Sequence, residues 1–130
     1  MKSLLTIFIL LFTLMFSSTS YAEWKKVTVS ESGDTFYVDF ERVRNHEGYL
    51  YFWALNDYLK PNKWEDLSFE VYYQGDCTLF RMKPLTYVFH KQPMGGGNGE
   101  SIQPKGERGD WQYPNPSSVI ETLLQTVCDK

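Results

Sequence analysis

The chain has 130 residues and a net charge of −3, from 13 lysines and arginines against 16 aspartates and glutamates. That acidic balance argues against a nucleic-acid partner, which needs a basic face to release counterions from its phosphates. One domain is the expectation at this length.

Residues 1–22 read as a cleavable secretory signal, leaving residues 23–130 as the mature domain. Lys2 supplies the positive start, Leu4 to Phe16 the apolar run, and Ser17 to Ser20 the polar stretch that follows. Ser20-Tyr21-Ala22 places small residues where a signal peptidase reads, so cleavage is expected before Glu23. A transmembrane anchor is the alternative, but this apolar run falls short of the roughly twenty residues needed to span hydrocarbon. No later run approaches that length, so the mature chain is expected to carry no transmembrane segment. No cysteine stands at the cleavage site to be acylated, so no lipid anchor is expected either. Without Lys2, twelve basic residues remain against sixteen acidic ones, a net charge of −4.

Export places Cys77 and Cys128 in an oxidising compartment where thiols pair, and two cysteines allow one intramolecular connectivity. Closing so long a loop restricts the unfolded chain by about 4 kcal/mol. For a domain this small, with a thin core, that is a large contribution. A reactive or metal-binding thiol pair is the competing reading; it lacks a C-x-x-C spacing and a clustered histidine.

Along the mature chain, Trp24 to Ser30 alternates with the period of a half-buried strand, and Glu31 to Asp34 breaks it with turn residues. Thr35 to Phe40 reads as the second strand of a hairpin. Residues 41–48 lose that character and predict a short helical turn or loop. Tyr49 to Leu55 is the strongest strand, apolar on both faces and therefore central. Asn56 to Asp66, with Pro61, predicts a loop. Leu67 to Tyr73 alternates again, Gln74-Gly75-Asp76 predicts a turn or bulge, and Cys77 to Met82 the next strand. Pro84 demotes its own position, and the pattern resumes from Leu85 to Lys91.

Gln92 to Asp110 is rich in glycine, including Gly95-Gly96-Gly97, and reads as a mobile hairpin loop. A phosphate-cradling loop is the functional alternative, but the Lys-Ser/Thr ending of such loops is absent and no helix pattern follows. Trp111 to Tyr113 predicts a short strand stopped by Pro114 and Pro116. Ser118 with Glu121 forms a capping-box pattern. Behind it, Val119, Ile120, Leu123, Leu124 and Val127 make one apolar stripe of a helix, with Cys128 at its edge. That helix should lie on the sheet, its last turn bonded to the strand of Cys77.

Residues that carry chemistry are few. His46 and His90 stand in separate segments without further ligands at metal spacing, and both read as solvated. Asp57, Glu65 and Asp66 flank one loop, where a paired-acid site would need them to converge; solvated loop charges are the plainer reading. Ser68 and Ser118 lack a positioned base. The sequence therefore assigns no catalytic residue, no metal site and no cofactor, and the chain is expected not to be an enzyme. Aromatic residues are the unusual feature, at 17% of the chain. Tyr49, Tyr51 and Trp53 share one face of the central strand, which reads either as a binding stripe or as packing over the sheet.

Several of these segments, in order, resemble one family. They are the Trp24 to Val27 strand, Tyr37-Val38-Asp39, the Trp53 to Tyr58 segment, Asp76-Cys77, and a closing element. That element comprises Trp111, Tyr113, Pro116, Ser117, Leu123, Leu124, Val127 and Cys128, with one residue of slack in the turn. Together they resemble the surface-adhesin protein E family of Gram-negative bacteria, over essentially the whole mature chain. The resemblance implies an α+β fold: a single antiparallel sheet of about six strands with a C-terminal helix on one face, tethered by the Cys77–Cys128 disulfide. It also implies a non-enzymatic envelope protein that binds other proteins, such as host extracellular-matrix or serum proteins. A periplasmic accessory protein with a sugar or peptide in an aromatic concavity between sheet and helix is the alternative. The chain is expected in the periplasm, at the cell surface or secreted, and an exposed edge strand makes a homodimer plausible. The absence of an acylated cysteine and the triple-glycine loop depart from the family pattern.

Overall fold

The structure is a computed structural model and describes residues 22–130. The leader expected over residues 1–22 lies outside the described residues, Ala22 excepted. One antiparallel sheet holds seven strands: β1 (Lys25–Val29), β2 (Thr35–Val38), β3 (Arg44–His46), β4 (Tyr49–Asp57), β5 (Ser68–Asp76), β6 (Arg81–His90) and β7 (Glu100–Ile102). The order across the sheet is β1-β2-β4-β5-β6-β7, and β3 also pairs with β4. Because β2 takes Ala54 to Asp57 and β3 takes Tyr49 to Tyr51, the two lie end to end along one side of β4. A 3-10 turn at Phe40–Arg42 joins them, capped by Asp39, which accepts from the Glu41 amide. Helix α1 (Val119–Cys128) packs on one face, completing the expected α+β architecture.

Alternation along the strands separates two faces. Phe52 and Ala54 of β4, Val71 and Tyr73 of β5, and Met82 of β6 point to the helix and bury themselves against Leu123, Leu124 and Val127. Each such large side chain contributes about 2 kcal/mol through removal from water. Burial pushes the Tyr73 hydroxyl well above its ordinary pKa, so it stays neutral beneath the helix. Ser118 caps α1 by accepting from the Glu121 amide at 3.1 Å. The Glu121 carboxylate answers one residue earlier than a standard capping box, accepting from the Ser117 amide at 3.0 Å.

Five segments differ from their sequence-based expectation. Gln74-Gly75-Asp76 does not interrupt the strand: β5 runs through to Asp76. Gly75 is there because the helix comes close, and a Cβ at this position would sit 3.2 Å from Leu124 Cδ1 and 3.3 Å from Phe52. Asp76 ends the strand by accepting from the Thr78 and Leu79 amides, both at 3.1 Å. Cys77 consequently belongs to the β5–β6 turn, not to a strand, and bonds Cys128 there with the two Cα atoms 5.8 Å apart.

Pro84 lies inside β6, opposite Tyr73, where the register slips by one residue. A bulge at this point relieves the ladder of the donor that proline lacks. Residues 41–48 contain β3, a polar edge strand with no apolar alternation to announce it. The segment read as one mobile loop over Gln92 to Asp110 holds a 3-10 turn at Pro93–Gly95, then β7, then a second such turn at Gly106–Gly109.

Replacing both Cys77 and Cys128 by Ala should lower unfolding free energy by about 4 kcal/mol, read from urea denaturation against the oxidised parent. Gly75→Val should cost about 1–3 kcal/mol by forcing α1 off the sheet. A variant as stable as the parent would show that the helix does not depend on that close approach.

Candidate functional site

The face opposite α1 carries the residues singled out from sequence. Tyr49, Tyr51 and Trp53 alternate with the half-buried Leu50 and the buried Phe52 and Ala54, which face the helix, so they project away from it and are half-buried. The structure sets them in a larger aromatic layer. Trp53 packs on Tyr72 of β5 at 4.9 Å between ring centroids, Tyr51 on Tyr72 at 6.2 Å, and Tyr49 on Trp111 at 5.6 Å. Cross-strand pairing dictates this, because Trp53 lies directly opposite Tyr72.

Cations are interleaved with the rings. Arg42 stands 5.5 Å from the centroids of both Trp24 and Trp53. Arg44, opposite Tyr51 on β3, donates to the Tyr72 hydroxyl. Arg81 and Lys83 lie over Trp111 at 4.1 and 4.8 Å. Such contacts contribute about 0.5–1 kcal/mol each where solvent reaches them. A hollow of about 460 Å³ opens between Arg44, Asn45, His46, Tyr51 and Tyr72.

Both ends of this face are covered. At one, the Pro93–Gly95 turn folds onto Leu55 and Glu70: the Met94 amide donates to Asp57 at 2.8 Å and the Gly95 amide to Ser68 Oγ at 2.8 Å. Ser68 in turn donates to the Gln92 carbonyl at 2.7 Å, so this hydroxyl fastens a loop. The loop continues over His90, where a Cβ at Gly99 would fall 2.7 Å from the imidazole and 2.3 Å from Val88. Glycine here serves close approach to the sheet, not a phosphate. At the other end Trp111 lies on Tyr49, held by a two-residue bridge in which Gln112 and Met82 exchange backbone hydrogen bonds.

His90 corrects the sequence reading: it is buried at 4% exposure, with Nε2 2.6 Å from the Glu70 carboxylate. His46 is exposed as expected. The three loop acids do not converge as a catalytic pair. Asp57 holds the Met94 amide, Glu65 is exposed, and Asp66 is buried between Asn62 and Lys91. Its contact with the Lys91 ammonium holds the Asp66 carboxyl below its usual range. Asp66 therefore does structural work in the β4–β5 loop, contrary to the solvated reading.

The space between helix and sheet, where a ligand concavity was anticipated, is filled by Leu123, Leu124 and Val127, none more than 2% exposed. The larger groove, about 1080 Å³, lies elsewhere on the helix-bearing face. Tyr87 and Phe89 form its floor, and Trp64, Ile102, Lys105 and Arg108 its walls. Trp64 and β7, which shape it, gave no sequence signal beyond an isolated aromatic in a loop and a lone isoleucine.

Beside Trp111, Asp76 is buried and bonded to Arg81 at 2.9 Å. The Leu79 amide, with Arg81 behind it, holds its carboxyl below the ordinary range. A lowered folded-state pKa stabilises the fold above the unfolded carboxylate pKa of about 3.9 and ceases to do so as pH falls through the lowered value. Asp76→Asn should thus weaken the fold at neutral pH and flatten the loss of stability below about pH 4, measured as urea midpoints across pH. Parallel curves for variant and parent would remove Asp76 from the acid response.

Comparisons place the chain among known proteins. Crystal form II of Haemophilus influenzae protein E superposes with a TM-score of 0.62 at 15% identity, covering 85% of this chain and 91% of that one. Its selenomethionine form gives 0.60 at 14% identity, covering 87% and 94%. Protein E from non-typeable Haemophilus influenzae gives 0.56 at 14% identity, covering 87% and 79%. At such identities the likeness is one of fold. No curated protein matches the chain by sequence. The model of the family described as surface-adhesin protein E matches residues 24–129, and the chain belongs to that family.

Proposed function

We propose that this chain is an exported, non-enzymatic envelope protein that binds other proteins, of the kind found in host extracellular matrix or serum, through its helix-free face. The observation that carries this reading is the half-buried layer of Tyr49, Tyr51, Trp53 and Tyr72, left open between its two covered ends. Tyrosine and tryptophan give large contact area at small entropic loss, and protein-binding hot spots are rich in them. Membership of a surface-adhesin family supports the same reading. The short outer strands β1 and β7 add a route to a homodimer by edge pairing.

Export fits a local feature of the fold. The Glu23 amide lies 3.3 Å from the carboxylate of Asp39, which is 1% exposed and bonded to Arg42 at 2.6 Å. Cleavage before Glu23 would put an ammonium in place of that amide and add an ion pair to the anchor of β1. Mass spectrometry of protein recovered from envelope fractions should therefore give a chain beginning at Glu23; recovery with residues 1–22 attached would remove the export reading.

A second reading, a small sugar or peptide ligand, is favoured by the aromatic-floored groove of Tyr87 and Phe89. The two readings separate in one experiment. Purified mature protein should bind immobilised matrix or serum proteins, with Tyr51→Ala or Trp53→Ala weakening binding about tenfold or more while circular dichroism stays unchanged. No binding by the parent, or binding indifferent to both substitutions, sinks the helix-free face as the site.

A further inference from the structure

Resting on the reading just proposed, we infer that the open part of the helix-free face takes a short, extended, acidic segment of a partner protein. The face is a trough. Trp53, Tyr72 and Tyr51 form its floor, the Pro93–Gly95 turn closes one end and Trp111 the other. Arg44 stands on one flank and Lys83, opposite Gln74 on β6, on the other. From Trp53 to Tyr51, short of the Tyr49 ring that Trp111 covers, the open floor runs about 7 Å at the rise of a strand, room for roughly two residues of extended peptide.

Its middle carries cations without acids. The carboxylates that β4 and β5 place on this face lie at its covered ends: Asp57 accepts from the Met94 amide at 2.8 Å and Glu70 stands 2.6 Å from His90 at one, and Asp76 pairs with Arg81 at 2.9 Å at the other. Arg44 and Lys83 have no carboxylate within 4.0 Å among the described residues. Arg44 keeps further donors beside the 460 Å³ hollow after bonding Tyr72, and a guanidinium matches a carboxylate with two parallel hydrogen bonds. Two cations across an aromatic floor therefore complement an acidic side chain on either side of an apolar backbone. A long polyanion is disfavoured, because the chain as a whole is acidic, at −3, and repels whatever extends beyond the trough.

The test is fluorescence anisotropy of the full mature protein with a labelled peptide of Glu-Tyr-Asp repeats, its Lys-for-acid counterpart, and a heparin-derived oligosaccharide. The acidic peptide should bind and the basic one should not. Arg44→Glu or Lys83→Glu should weaken binding tenfold or more, as should a rise in salt, while Lys105→Glu, in the groove on the other face, should change nothing. Arg44→Gln and Lys83→Gln, checked by circular dichroism, give smaller losses in the same order should charge reversal impair folding. Absence of acidic-peptide binding, binding indifferent to these substitutions, or binding of the oligosaccharide alone overturns the inference. Matrix proteins assayed in parallel separate the two failures: if they bind parent and variants alike, the protein-binding reading stands and the acidic segment falls.

Discussion

The fold depends on how closely α1 lies on the sheet. Ten helical residues cannot hold a stable helix alone, since nucleation is unfavourable and propagation over so short a span returns little. What fixes this one is Leu124 seated over Gly75, flanked by Leu123 and Val127, with Cys128 bonded to the turn that Gly75 and Asp76 lead into. The disulfide and the glycine act on the same contact. One brings the end of the helix to the β5–β6 turn, and the other leaves room for the last turns to settle on Phe52 and Met82.

Sealing one face in this way leaves the other without a helix, and that face solves its exposure differently. Its ends are closed by a loop fastened through Asp57 and Ser68 and by Trp111 over Tyr49. Its middle is left as a half-buried aromatic layer braced by cations. Rings packed across strands stiffen the sheet, and a stiff aromatic surface loses little entropy when it meets a partner. Packing over the sheet and a binding stripe were alternatives in sequence. In three dimensions the same rings pack across the strands and remain only half-buried, so packing does not take up their whole surface.

Much of this was legible in the sequence. Alternation, an apolar run and aromatic or β-branched density located five of the seven strands, and the Ser118 and Glu121 signals located the helix start, because these depend on neighbours along the chain. What was missed depends on neighbours in space. Gly75 looked like a breaker and is a seat for Leu124. Asp76 looked like part of a turn and is the cap of one. His90 looked solvated because nothing local shows that Gly99 will lie on it and Glu70 beside it. β3 and β7 are polar edge strands of three residues each, drawn into the sheet by the ladder of β4 and β6 and not by their own side chains. Arg44, the residue that gives the helix-free face its unspent charge, lies in one of them.

The placement of that charge bears on how an acidic protein can attract an acidic ligand. At ordinary salt the field of the net charge is largely screened beyond about 10 Å, so the individual ions nearest a ligand decide what it meets. On this sheet structure places the acids at the covered ends: Asp57, with Ser68, holds the loop, Glu70 lies against His90, and Asp76 holds both a turn and Arg81. The bases at Arg44 and Lys83 are held only by rings and a phenol, partners that leave a cation's charge uncancelled. A trough of this kind attracts at its centre while the acidic surface around it repels whatever extends past it, so it selects short acidic stretches flanked by apolar residues over extended polyanions. Specificity of that type comes from the repulsive surroundings as much as from the attractive centre.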